Sequence, residues 1–150
     1  DVAARGFEVN ARGCRSWGEG HRLVWGLKHS GRLPHLVVMQ LGTNWSITVA
    51  QIRRTLKVIG PRRVLAILTP REVGGYGGSD AQAVRAAGRR YPKQVVVLDW
   101  VKASRGHSSW FQPDGIHLTY PGAHALALFL RAARPYASAE AMADKPVPLR

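Results

Sequence analysis

Negative charge is scarce in this chain of 150 residues: 9 Asp and Glu stand against 22 Lys and Arg, a formal charge of +13. Cysteine is nearly absent. Cys14 has no second thiol to pair with, which excludes a disulfide scaffold and fits either the cytosol or an exported protein without disulfides. Long apolar runs are missing too. None approaches the roughly 18 residues of a membrane-spanning helix, so the chain has no transmembrane segment of its own. No repeat period runs through the sequence, which excludes collagen and coiled coil. The leading residues Asp1-Val2-Ala3-Ala4-Arg5 carry no initiator Met, no apolar signal region and no transit-peptide character. The chain therefore reads as a piece of something longer.

What is present argues for one folded domain. Hydrophobic residues make up 45% of the chain, too many for a disordered segment, and the length suits a single core. The mean hydropathy of -0.16 is ordinary for a globular protein. Excess positive charge invites nucleic acid, anionic lipid or an anionic polymer. The arginines, however, are scattered in pairs (Arg53-Arg54, Arg62-Arg63, Arg89-Arg90) with no block of like charge. Only 5 of the 22 basic residues are lysine, a bias that base composition alone produces. A solvated basic surface accounts for the pattern better than a dedicated nucleic-acid site.

Four apolar runs punctuate the chain: Phe7–Ala11, Leu36–Leu41, Val64–Leu68 and Val95–Leu98. The last three are nearly continuous in Val, Ile and Leu, as strands buried on both faces of a parallel sheet are. Between them lie helical spacings. Ile47, Ile52, Leu56 and Ile59 share a face that Arg53, Arg54 and Lys57 avoid. Thr48 with Gln51, and Ser79 with Gln82, have the spacing of capping boxes, and Gly60-Pro61 ends the first of these helices. A last helix is expected from about Tyr120 to Arg134, capped by Thr119 with Pro121 in its first turn. This alternation predicts an open α/β sheet with right-handed crossovers over residues 1–136, and a poorly packed tail over 137–150.

Ligands of open α/β sheets bind beyond the carboxyl ends of the strands. Asp114 and His117 stand there, three residues apart on a tight turn before the last helix. A carboxylate so placed reaches imidazole Nδ1, fixes the tautomer and leaves Nε2 as a base toward a nucleophile. The plainer alternative is an Asp that caps the turn beside a partly exposed His. No second His or Cys follows at ligand spacing, so a metal centre is not expected. Gly42-Thr43-Asn44 follows the second run, where an Asn amide suits a developing oxyanion, or simply a turn.

Together and in this order, Leu41-Gly42-Thr43-Asn44 and Asp114-Gly115-Ile116-His117-Leu118-Thr119, followed by Gly122, resemble the SGNH (GDSL-like) hydrolases. Asp99-Trp100 and the Asp-Gly-Ile-His-Leu-Thr string are most similar to the domain attached to membrane acyltransferases that O-acetylate cell-wall or surface glycans. The resemblance spans about Phe7 to Ala133. It implies a three-layer open parallel sheet of flavodoxin-like type and acyl-enzyme chemistry on an ester or glycan substrate. It implies His117 and Asp114 as catalytic residues, an oxyanion hole from Asn44 and the Gly13 amide, and Arg15 at the substrate. It also implies no cofactor, a membrane acyltransferase domain upstream, and an extracytoplasmic place in the cell envelope; without that acyltransferase likeness the chain would read as cytoplasmic. Trp45, Trp110 and Phe111 flank the cleft in sequence, placed to stack on a sugar ring or to pack against the sheet edge.

One block of the pattern is missing. The family's nucleophile is the Ser of a Gly-Asp-Ser block at the end of the first strand, and the sequence holds no Gly-Asp-Ser. Gly78-Ser79-Asp80 has the wrong order, and Ser16 and Ser46 do not occupy nucleophile positions. Phe7–Ala11 matches the family's second strand, which places the missing strand and its Ser upstream of Asp1. The chain is expected to be a fragment, inactive alone. The rival expectation is a non-catalytic basic module that holds an anionic polymer, glycan or nucleic acid.

Overall fold

The computed structural model describes residues 6–75 and 77–137. Three parallel strands, β1 (Leu36–Met39), β2 (Val64–Leu68) and β3 (Val95–Leu98), form one sheet in the order β1-β2-β3. Leu36 pairs with Val64, and Leu65 with Val95, so the strand entrances are aligned. Every residue of β2 is buried. Residues alternate between faces along each strand. Leu65, Ile67 and Val95 enter a core with Trp17, Val24, Ile52, Leu56, Ile59 and Val84, contributed by the helices α1 (Trp17–His29), α2 (Val49–Ile59) and α3 (Ser79–Arg90). Val64, Ala66, Leu68, Val96 and Leu98 face the opposite way. They pack on Leu126 and Leu130 of the helix α5 (Tyr120–Leu130) and on Trp100, which opens the one-turn α4 (Trp100–Ala103). The result is the three-layer α/β sandwich expected from the sequence.

Local chemistry sets the ends of these elements. The Thr48–Gln51 capping box closes on α2, and Gly60 at φ +81° ends it. Thr119 caps α5 by accepting from the Gly122 amide. That helix stops at Leu130, and a 3-10 segment, Arg131–Ala137, carries the chain on through Pro135. The expected tail begins at Ala137, and its residues 138–150 lie outside the described ones.

Two expectations are corrected. Phe7–Ala11 forms no strand. A strand needs a neighbour for its ladder, and among the described residues β1 has none on its outer side. Val9 is accordingly exposed, and Phe7 alone reaches the core of the α5 face. The second correction concerns Ser79, which makes no cap: Gly78 occupies that position, and Ser79 is the first helical residue. Glu72 reaches the start of α3 instead, its Oε1 facing the Asp80 amide at 3.4 Å. The first helix, α1, begins at a box formed by Ser16 and Glu19, each side chain accepting from the other's backbone amide. Its Trp17 donates from Nε1 to the buried Thr55 Oγ1 at 3.1 Å, which fastens α1 to α2.

Because β2 is sandwiched on both faces, Ile67→Ala is expected to cost about 3 kcal/mol in urea unfolding. Val9→Ala, at an exposed position, should stay within about 0.5 kcal/mol of the parent.

Candidate active site

Three loops meet at the carboxyl ends of the strands. The first leaves β1 at Gln40. Gly42 has φ +117°, and a Cβ there would stand 2.5 Å from the Ile47 side chain and 3.0 Å from Pro70. Only glycine satisfies both conditions. The turn pushes Thr43, Asn44 and Trp45 outward, and the loop is tied back where Ile47 N donates to the buried Asp80 Oδ1 at 2.9 Å.

The second loop carries the charged pair. Phe111 and Leu118 form an antiparallel bridge, and Gln112 N donates to His117 O at 2.7 Å, closing a tight loop. Inside it, Asp114 Oδ1 accepts from the amides of Ile116 (2.8 Å) and His117 (3.0 Å). Asp114 Oδ2 lies 2.6 Å from His117 Nδ1. A carboxylate only accepts, so Nδ1 carries the hydrogen, and in the neutral form of the ring Nε2 is bare. The imidazole is 79% exposed and the carboxylate 42%. The His117 hydrogen bond, helped by the two amides, pulls the Asp114 pKa down to about 2.

The third loop follows β2 and holds the second in place. Arg71 donates from Nε to Gly115 O at 2.8 Å and from Nη1 to the buried Ser104 Oγ at 2.7 Å. Its guanidinium carbon sits 3.7 Å above the Phe111 ring centroid. Burial lowers the Arg71 pKa. Gly115 has φ +71°, and a Cβ on it would stand 2.9 Å from Gly75 N, so the glycine-rich loop lies directly on the turn. Behind Arg71, Thr69 Oγ1 donates to Asp99 (3.1 Å) and accepts from Val101 N. Arg85 grips the same carboxylate with two bonds of 2.9 Å. Partial burial works against the charge on Asp99, and the Arg85, Lys102 and Thr69 donors outweigh it, leaving the pKa below the ordinary value.

Between the loops lies a cleft of about 50 Å³, lined by Leu41, Thr43, Thr69, Arg71, Ile116 and Leu118 among others. The residues on either side of His117 thus share one concavity with the residue before Asn44. No hydrogen bond joins Asn44 to the pair among the described residues. Gly13 sits in an exposed turn before α1, and Arg15 turns back on its own segment, donating to Asn10 O (2.7 Å) and Asn10 Oδ1 (3.0 Å). Gly20, in the first turns of the α1 helix that follows them, packs on Met39 and Leu41. Trp45 is 63% exposed. Trp110 is not free: it is stacked with His107 at 3.8 Å and with Trp100 at 5.6 Å. Ser16 caps α1, its Oγ 2.9 Å from Glu19 Oε2.

The crystal structure of a lipase/acylhydrolase from Enterococcus faecalis superposes on the chain with a TM-score of 0.66. The match covers 91% of this chain and 82% of that one, at 20% identity. The two chains share their fold. No protein-family model matches it. In sequence it is 37% identical over 92 residues to the O-acetyltransferase OatA of Staphylococcus aureus (strain NCTC 8325 / PS 47). A provisionally named O-acetyltransferase of S. aureus (strain COL) is 36% identical over 90 residues. Each match covers 60% of this chain and 15% of the relative, so the chain spans a small part of the proteins it resembles. The resemblance to the SGNH hydrolases stands on both counts, sequence and fold.

Arg71 is the site residue that the sequence did not single out. Replacing it with Met removes the tie to Gly115 O and loosens the turn that feeds amides to Asp114. A carbon-detected NMR titration should find the Asp114 carboxyl with a midpoint near 2 in the parent, moving toward 3.8 in Arg71→Met. The direction follows from linkage: a depressed carboxyl stabilises the turn above the unfolded pKa, and that contribution is lost as pH falls through about 2. A midpoint unchanged in Arg71→Met would remove Arg71 from the site.

Proposed function

We propose that this chain supplies the acid–base pair and the side-chain oxyanion donor of an SGNH-type esterase or O-acetyltransferase that works on ester groups of cell-envelope glycans. The observation that carries the reading is the 2.6 Å contact between Asp114 and an exposed His117 beside the strand-end cleft. In this reading a serine hydroxyl attacks the ester carbonyl while His117 Nε2 takes its proton. Asn44 Nδ2 and the Gly13 amide receive the negative charge that forms on the carbonyl oxygen. His117 then returns the proton to the departing alcohol, leaving an acyl-serine. Water or a sugar hydroxyl attacks next, giving its proton to His117, which passes it to the departing serine oxygen.

The serine belongs to a Gly-Asp-Ser strand that this sequence does not contain. Among the described residues no strand pairs with the outer side of β1, which supports a place for the Gly-Asp-Ser strand there. On this reading the Asn44–Trp45 loop faces the glycan acceptor, with the exposed Trp45 ring available for a sugar face. Trp110 is spent on packing and leaves that role.

The 150-residue chain should hydrolyse p-nitrophenyl acetate no faster than its His117→Ala variant. An extended chain that begins with a Gly-Asp-Ser strand should gain activity, losing about 10³-fold in His117→Ala and about 10²-fold in Asn44→Ala. A large His117-dependent rate in the short chain would overturn the missing-nucleophile part of the reading.

A further inference from the structure

The described carboxylates in this molecule gather at one end of the strand axis. Of the described carboxylates, Glu19, Glu72, Asp80, Asp99 and Asp114 all follow a strand or open a helix at the carboxyl edge, and Glu8 lies in the leading segment. The three turns at the opposite edge, where α1, α2 and α3 end and the chain enters β1, β2 and β3, carry none. Residues 28–35, 57–63 and 89–94 contain Lys28, Arg32, Lys57, Arg62, Arg63, Arg89, Arg90 and Lys93, and no Asp or Glu. Among the described residues none of these eight is in an ion pair.

The three turns form one surface. Arg63 Nε donates to Leu33 O at 3.3 Å, and Gln94 Nε2 donates to Gly60 O at 2.9 Å, so each turn is tied to the next. Cations in the last turn of a helix are favoured by its dipole, which accounts for Lys28, Lys57, Arg89 and Arg90. It does not account for Arg32, Arg62 and Lys93, which lie beyond the helix ends and are exposed. Beside this edge, in the closing turns of α1, Trp25 is 52% exposed and stacked on His29 at 3.8 Å.

We propose that this edge docks on a bilayer surface rich in anionic phospholipid. A broad end built from three adjacent turns matches a plane of phosphates better than it matches a single polymer strand. An exposed indole at its rim suits the headgroup layer. Docked in this way, the chain holds the Asp114–His117 edge away from the lipid.

The test is flotation of the 150-residue chain with phosphatidylglycerol-containing and with pure phosphatidylcholine vesicles. Binding to the anionic vesicles alone, weakened by salt, is expected. The triple variant Arg32→Glu/Arg62→Glu/Lys93→Glu should bind about tenfold or more weakly. Arg22→Glu/Arg53→Glu/Arg54→Glu, which changes net charge equally on the outer helix faces, should stay within about twofold. On the unaltered chain, bound vesicles should protect Lys28 and Lys93 from amine acylation and leave Lys102, at the other edge, reactive. Equal losses in the two variants, protection of Lys102 instead, or binding to soluble polyanions without binding to vesicles would each overturn the proposal.

Discussion

Strand β2 exposes no residue to water, and that condition orders everything around it. A strand covered on both faces must have apolar residues on both, and a neighbour on each side to satisfy its amides and carbonyls. Val64–Leu68 meets the first demand in its own sequence and the second through β1 and β3. Helices must then lie on both faces, and each crossover must begin beyond the carboxyl end and finish at the amino end. The loops that carry Asn44, Arg71 and Asp114 converge as a consequence of how this one strand is buried.

Convergence alone leaves the loops free to drift relative to one another. Arg71 prevents that by bonding to a carbonyl on the turn and to a hydroxyl under it, with an aromatic ring beneath its plane. Two glycines make the approach close enough. Gly42 lets the first loop pass Ile47 and Pro70, and Gly115 lets the turn rest on the Gly75 backbone. A partly exposed ionised carboxylate is then stabilised by three donors of its own turn, so the imidazole is oriented without being buried.

Much of this was legible in the sequence, and several of the features that were not depend on partners distant in the chain. The Thr48 and Thr119 caps and the Asp114–His117 pair were readable because each joins residues three apart. The same logic was available at Ser16 and Glu19 and would have revealed α1, whose mixed composition hid it. Phe7–Ala11 misled because apolar residues state a preference for extended backbone, and a ladder needs a second strand that no local pattern records. Ser79 had the spacing of a cap, yet the chain entered the helix one residue earlier. Arg71 was out of reach because its partner Gly115 is 44 residues away. Trp110 looked available beside the cleft, and its stacking with Trp100 and His107 is a tertiary fact.

The Asp114–His117 pair spans four consecutive residues, so its formation closes almost no loop and loses little chain entropy. A pair assembled from distant segments would form only after a long loop had closed, at a larger cost in chain entropy. This one is written into a turn, anchored by a single distant arginine. Such a turn carries most of its geometry in its own residues. Among the described residues the imidazole is thus oriented by a carboxylate of its own turn and by no distant side chain.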